Sequence, residues 1–142
     1  MPMRKQTWLW TAAILQLLTA AVHSLSFFAK EVPDNDTEKQ LHELITTYKK
    51  DLGFGFAPTF HDFFLALSAS FALLYLFGGL LSIYFIRKKI SIDLLKGFLN
   101  ISIIVYAINF ITTACFTFIF PIVFTGLVFI ALLPARFTLK AK

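Results

Sequence analysis

Long uncharged apolar runs, separated by short polar breaks, make up most of this chain. One of them, Phe63–Ile86, is closed by His61-Asp62 at one end and by Arg87-Lys88-Lys89 at the other. As an α-helix rising about 1.5 Å per residue it spans roughly 36 Å, enough to cross a hydrocarbon core about 30 Å thick. In lipid every backbone N–H and C=O must find its partner within the segment, so a single run of this kind has to be a helix. The same pattern recurs, and it predicts membrane helices over about 7–28, 60–86, 92–113 and 116–134.

The first run admits two readings. Arg4-Lys5 followed by apolar residues and Ala20-Ala21 has the outline of a signal peptide. Trp8–Phe28, however, is longer than the roughly 7–15 apolar residues of such a leader. Trp8 and Trp10 also suit an interfacial belt. A retained helix is the expectation. Between the third and fourth runs the turn carries no charge, and Pro121 is either an early residue of the fourth helix or part of the turn. Pro134 and Arg136 are expected to end the last helix.

Residues 30–60 are the one hydrophilic stretch of any length. Asn35 with Glu38 has the spacing of a capping box. Leu41, Leu44, Ile45, Tyr48 and Leu52 then share one helical face. This predicts an amphipathic helix over about 35–52, with Lys49 and Lys50 in its last turn and Gly53 as terminator. Its apolar face has to lie on the headgroup boundary or on the end of the bundle. Gly53-Phe54-Gly55-Phe56-Ala57-Pro58 follows as a flexible aromatic link.

Composition agrees with these patterns. The chain is 58% hydrophobic and 15% charged, contains 18 Phe and has a mean hydropathy of +0.75. A soluble domain averages about half apolar and a quarter charged. The net charge of +5 is unevenly spread. Arg4, Lys5, Arg87, Lys88, Lys89, Lys96, Arg136, Lys140 and Lys142, with Asp93 among them, flank the apolar runs and carry a net +8. Lys30, Lys39, Lys49 and Lys50 share the hydrophilic connection with Glu31, Asp34, Asp36, Glu38, Glu43, Asp51 and Asp62, a net −3. The positive-inside rule accounts for this alternation. It puts both termini in the cytoplasm and the amphipathic connection outside. A nucleic-acid reader would gather its basic residues on one surface, so no nucleic acid is expected as partner. A single cysteine, Cys115, excludes an intrachain disulfide and any CxxC zinc cluster.

The fold class is therefore all-α: one domain over 1–142, an antiparallel four-helix membrane bundle with an external amphipathic helix between helices one and two. Membrane helices associate through small and polar residues, because lipid tails are as apolar as Leu. Ala12, Gln16, Thr19, His23 and Ser26 form one stripe on the first helix. His61, Ser68, Ala72, Tyr75, Gly79 and Ser82 form one on the second, and Ser102, Tyr106, Asn109 and Thr113 one on the third. By depth, His23, His61, Asp62, Ser68 and Asn109 fall around one pocket in the outer half, closed by the amphipathic connection. Gln16 and Asn100 make a second matched pair nearer the cytoplasm. Asn100 lies nine residues before Asn109, about half a turn round the helix, so one of the two leaves the shared face.

Each of these has a structural and a functional reading. Gln16, Ser68, Asn100 and Asn109 suit interhelical hydrogen bonds, Tyr75 and Tyr106 suit packing, and Asp62 suits a helix start. His42 lies on an exposed face with no role assigned. A histidine within a membrane span marks function by default. In that reading His23 and His61, with Asp62, Tyr75, Tyr106 and Asn109, line a site for a small lipophilic ligand. The alternatives are an acid/base pair of His23 with Asp62, or axial haem ligation by His23 and His61. No third or fourth metal ligand is evident, and no nucleophile motif, phosphate loop or paired membrane carboxylate occurs. A non-enzymatic protein without cofactor is expected, binding a lipophilic molecule or serving a larger membrane complex. Gly78-Gly79 offers a small-residue face for a homodimer.

The helix ending in Ala21-Val22-His23, the acidic connection, Gly53-x-Gly55, Asp62 at a helix start and Gly78-Gly79 near its far end resemble small uncharacterised four-helix bacterial inner-membrane proteins. The resemblance covers nearly the whole chain and implies a bacterial inner-membrane location, with no activity or catalytic residue attached. Sterol-isomerase-like four-helix proteins share the architecture, but their intramembrane acidic residues have no counterpart here.

Overall fold

A computed structural model describes residues 3–29 and 32–139. Lys30, Glu31, Lys140 and Lys142 lie outside the described residues, and the side chains of Arg4 and Lys5 outside the described side chains. The described chain is almost wholly helical: α1 (Met3–Leu25), a 3₁₀ turn (Ser26–Phe28), α2 (Asp36–Thr47), α3 (Phe60–Lys88), α4 (Ile92–Phe116) and α5 (Ile119–Phe137). Four segments, Thr7–Phe28, Phe60–Lys88, Ile92–Phe116 and Ile119–Phe137, are long and apolar enough to cross a membrane.

The chain divides into two compact units. The helical unit comprises Met1–Ala20 and Leu74–Lys142, and the connection unit comprises Ala21–Leu73. Both α1 and α3 contribute one part to each.

In the helical unit small polar residues are buried beside Leu9, Leu99, Val128 and Leu132, while many large apolar side chains face outward. Gln16, Thr19, Ser82, Ser102, Thr113 and Thr125 are buried, whereas Phe77, Ile101, Ile104, Ile108 and Ile130 are exposed. Apolar residues outside and hydroxyls within are what a lipid solvent selects. Helices α4 and α5 pack through Thr113 and Thr125, whose hydroxyls lie 2.9 Å apart, and through the stacked rings of Phe110 and Phe129. Gly126 allows the approach, since a methyl group there would press on the Phe110 ring at 3.1 Å.

Three helix ends differ from expectation. The third helix runs three residues further, to Phe116, and the break falls at the extended residues Thr117 and Phe118. Pro121 is thus a first-turn residue of α5, where its missing N–H has no intrahelical partner to lose. Pro134 does not end α5, which continues to Phe137. Proline's ring removes one hydrogen bond to the preceding turn but keeps a helical φ, and the Thr138 hydroxyl donates to the Pro134 carbonyl at 2.6 Å.

The amphipathic helix is also shorter than expected. Its start is capped as the spacing implied: Asn35 Oδ1 accepts from Glu38 N at 2.9 Å, and Glu38 Oε2 accepts from Asp34 N at 2.9 Å. It ends at Thr47, not near residue 52. The Thr46 and Thr47 hydroxyls donate back to the carbonyls of His42 and Glu43, and Lys49 pairs antiparallel with Thr59. Lys50 N then donates to Pro58 O at 3.0 Å and Leu52 N to Phe56 O at 2.9 Å. The tip of this hairpin needs left-handed backbone, met by Gly53 (φ +82°), Phe54 (φ +54°) and Gly55 (φ +81°). Two glycines make that turn accessible.

Candidate functional site

The residues expected around one pocket separate between the two units. Tyr75, Tyr106 and Asn109 belong to the helical unit and are joined there. Tyr75 Oη donates to Asn109 Oδ1 at 2.7 Å, and the two tyrosine rings meet at 5.0 Å. Tyr106 Oη donates to the Leu74 carbonyl at 3.3 Å. Tyr75 is fully buried and Tyr106 nearly so. The Tyr106 hydroxyl and Gln16 Oε1 sit over Gly78, and Leu17 with the Ala13 carbonyl covers Gly79. Both glycines are buried against this chain's own residues.

Gln16 and Asn100 do not pair. Asn100 is exposed and accepts from Arg136 Nε at 2.6 Å, tying α4 to the end of α5. The half-turn offset along α4 explains this, because the packed face took Asn109. Gln16 is fully buried, and neither its Oε1 nor its Nε2 has a hydrogen-bond partner among the described residues. The same holds for Ser82 Oγ.

In the connection unit a different arrangement forms. The end of α1 with the 3₁₀ turn, the body of α2 and the start of α3 line an open cavity of about 630 Å³. Its apolar wall includes Phe27, Ile45, Phe64 and Leu65, and its polar wall His42, His61, Ser26, Thr46 and Ser68. Helical spacing brings these together: His61, Phe64, Leu65 and Ser68 share one face of α3, and His42, Ile45 and Thr46 one face of α2. Among the described residues no Lys, Arg, Asp or Glu lines it.

His23 stands one layer away. Its ring meets Phe71 at 4.6 Å and Phe27 edge-on at 6.0 Å. It also hydrogen-bonds the Ser68 backbone, while Nε2 is buried without a partner among the described residues. Two of its neighbours, Phe27 and Ser68, are wall residues of the cavity.

Asp62 is held elsewhere. Its Oδ2 accepts from Thr59 N and from Thr59 Oγ1, each at 2.8 Å, and Asp62 N donates to Thr59 Oγ1 at 3.2 Å. This reciprocal cap starts α3 and absorbs one carboxylate oxygen of the expected acid/base partner. Among the described residues no group of three or more His, Cys, Asp or Glu gathers as a metal site.

His42, Thr46 and Ser26 were missed as wall residues. The signal existed in the i, i+3, i+4 spacing of His42, Ile45 and Thr46. The stronger apolar run of Leu41, Leu44 and Tyr48 masked it, yet those three residues are 55%, 61% and 56% exposed. No family model, curated protein or solved structure matches this chain.

Proposed function

We propose that this is a polytopic membrane protein that holds a small lipophilic ligand in the cavity of its connection unit. The observation that carries the reading is the cavity itself. Its volume of about 630 Å³ lies within the roughly 300–1,000 Å³ of small-molecule sites. Its wall combines aromatic and aliphatic surface with a few convergent polar groups, the usual make-up of such sites. Four helices of spanning length support the membrane setting.

The reading extends to an antiparallel four-helix arrangement in a bacterial inner membrane with both termini in the cytoplasm. The net +8 at the ends of the apolar runs against −3 in the connection supports that orientation. It also draws on the resemblance to small four-helix bacterial inner-membrane proteins.

The test is native mass spectrometry of the protein extracted in mild detergent. A bound amphiphile is expected on the wild type and lost in Ser68→Trp, which fills the cavity, at unchanged melting temperature. Wild-type protein with no adduct, even after soaking in membrane lipid extract, overturns the reading.

A second reading, an accessory subunit of a larger complex, is favoured by the exposed Leu41 and Leu44 of α2 and Tyr48 just after it. Photo-crosslinkers at those positions would then trap one protein in membranes, and labelling of lipid alone would remove this alternative.

A further inference from the structure

We infer that the cavity takes a lipid whose head is uncharged and both donates and accepts hydrogen bonds, a hydroxyl-bearing amphiphile of the monoacylglycerol or long-chain-alcohol class. The inference rests on the ligand-binding reading above and narrows it.

The first argument is charge. Among the described residues no ionic side chain lines the cavity. Two acids on the flanking elements are engaged: Asp62 by Thr59, and Glu38 by Asn35 and Asp34 N. A carboxylate, phosphate or ammonium head would find no counter-ion among these wall residues, whereas an uncharged head needs none. The net −3 of the connection repels an anionic head further.

The second argument is the direction of the hydrogen bonds. Ser26 Oγ donates to the His23 carbonyl at 2.6 Å, and Thr46 Oγ1 to the His42 carbonyl at 2.7 Å. Each hydroxyl has one proton, so what these two offer the cavity is lone pairs. The His61 imidazole and the Ser68 hydroxyl supply N–H and O–H donors. A head with acceptors only, such as a quinone, would bond His61 and Ser68 but leave the lone pairs of Ser26 and Thr46 without a donor. A hydroxyl satisfies both kinds of wall group at once. Phe27, Ile45, Phe64 and Leu65 then receive the chain.

The experiment uses the full chain in lipid nanodiscs at pH 8, where an ordinary imidazole is neutral. A photoactivatable monoacylglycerol probe is competed by unlabelled monooleoylglycerol, oleate, oleylamine and a short-chain ubiquinone. The expected result is labelling within residues 21–73, displaced by monooleoylglycerol at a concentration at least tenfold below that of any other competitor. His61→Phe should weaken monooleoylglycerol about tenfold, and His61→Gln, which keeps a donor, should restore most of it. If oleate, oleylamine or the quinone competes as well, the head class is wrong while the cavity remains a lipid site. If no probe labels residues 21–73, the ligand-binding reading falls as well.

Discussion

The two units use the same kinds of polar residue for different ends. In the helical unit Tyr75, Tyr106, Asn109, Thr113 and Thr125 spend their hydrogen bonds on one another or on nearby carbonyls, packed closely enough that Gly78 has no room for a methyl group. In the connection unit His42, His61, Ser26, Thr46 and Ser68 surround open space. Polar residues on a membrane helix therefore do not by themselves mark a binding site. What separates glue from site is whether the opposing helix face supplies partner atoms or leaves a gap.

The sharpest way to break this comparison is Gly78→Ala. The new methyl group would displace the Tyr106 hydroxyl from the Leu74 carbonyl, and overpacking of this kind costs about 1–3 kcal/mol. A lowered melting temperature in detergent with undiminished lipid labelling in residues 21–73 is expected. An unchanged melting temperature would show the helical unit to be looser than described.

Next in size is a pair of substitutions with opposite signs. Tyr75→Phe leaves Asn109 Oδ1 without its donor and should destabilise by about 1 kcal/mol. Gln16→Leu removes an amide with no partner among the described residues and should raise stability by about 1 kcal/mol. Equal losses in the two variants, measured by thermal unfolding, would mean that the Gln16 amide is as well satisfied as the Tyr75 hydroxyl.

The most local effect belongs to the connection unit. Asn35→Ala removes the α2 cap at a cost of about 0.5–2 kcal/mol confined to that helix. Amide exchange in Asp36–Thr47 should quicken while α4 and α5 keep their protection. Lipid labelling should fall too, because α2 carries His42, Ile45 and Thr46 of the cavity wall. Equal quickening in α4 would contradict the separation into two units.

Much of this was legible one segment at a time. The four spans follow from charge-free length, since lipid leaves the backbone no alternative to a helix. The Asn35 cap follows from side chains three residues apart, and the buried stripes of Gln16, Tyr75, Ser82 and Tyr106 from helical period. These depend only on near neighbours in sequence.

Other features depend on surfaces that the period cannot compare. Asn100 and Asn109 were equal candidates along α4 until Arg136 took one and Tyr75 the other. On α2 the apolar stripe looked like the packing face, yet the His42–Ile45–Thr46 face closes the cavity. The end of that helix at Thr47 was decided by Lys49 pairing with Thr59, a contact across a turn. Hydrophobic period can say that a helix has two faces. Which face meets a partner, and whether the partner fills the space, is set by shape complementarity between segments distant in the chain, and the tertiary structure alone decided that.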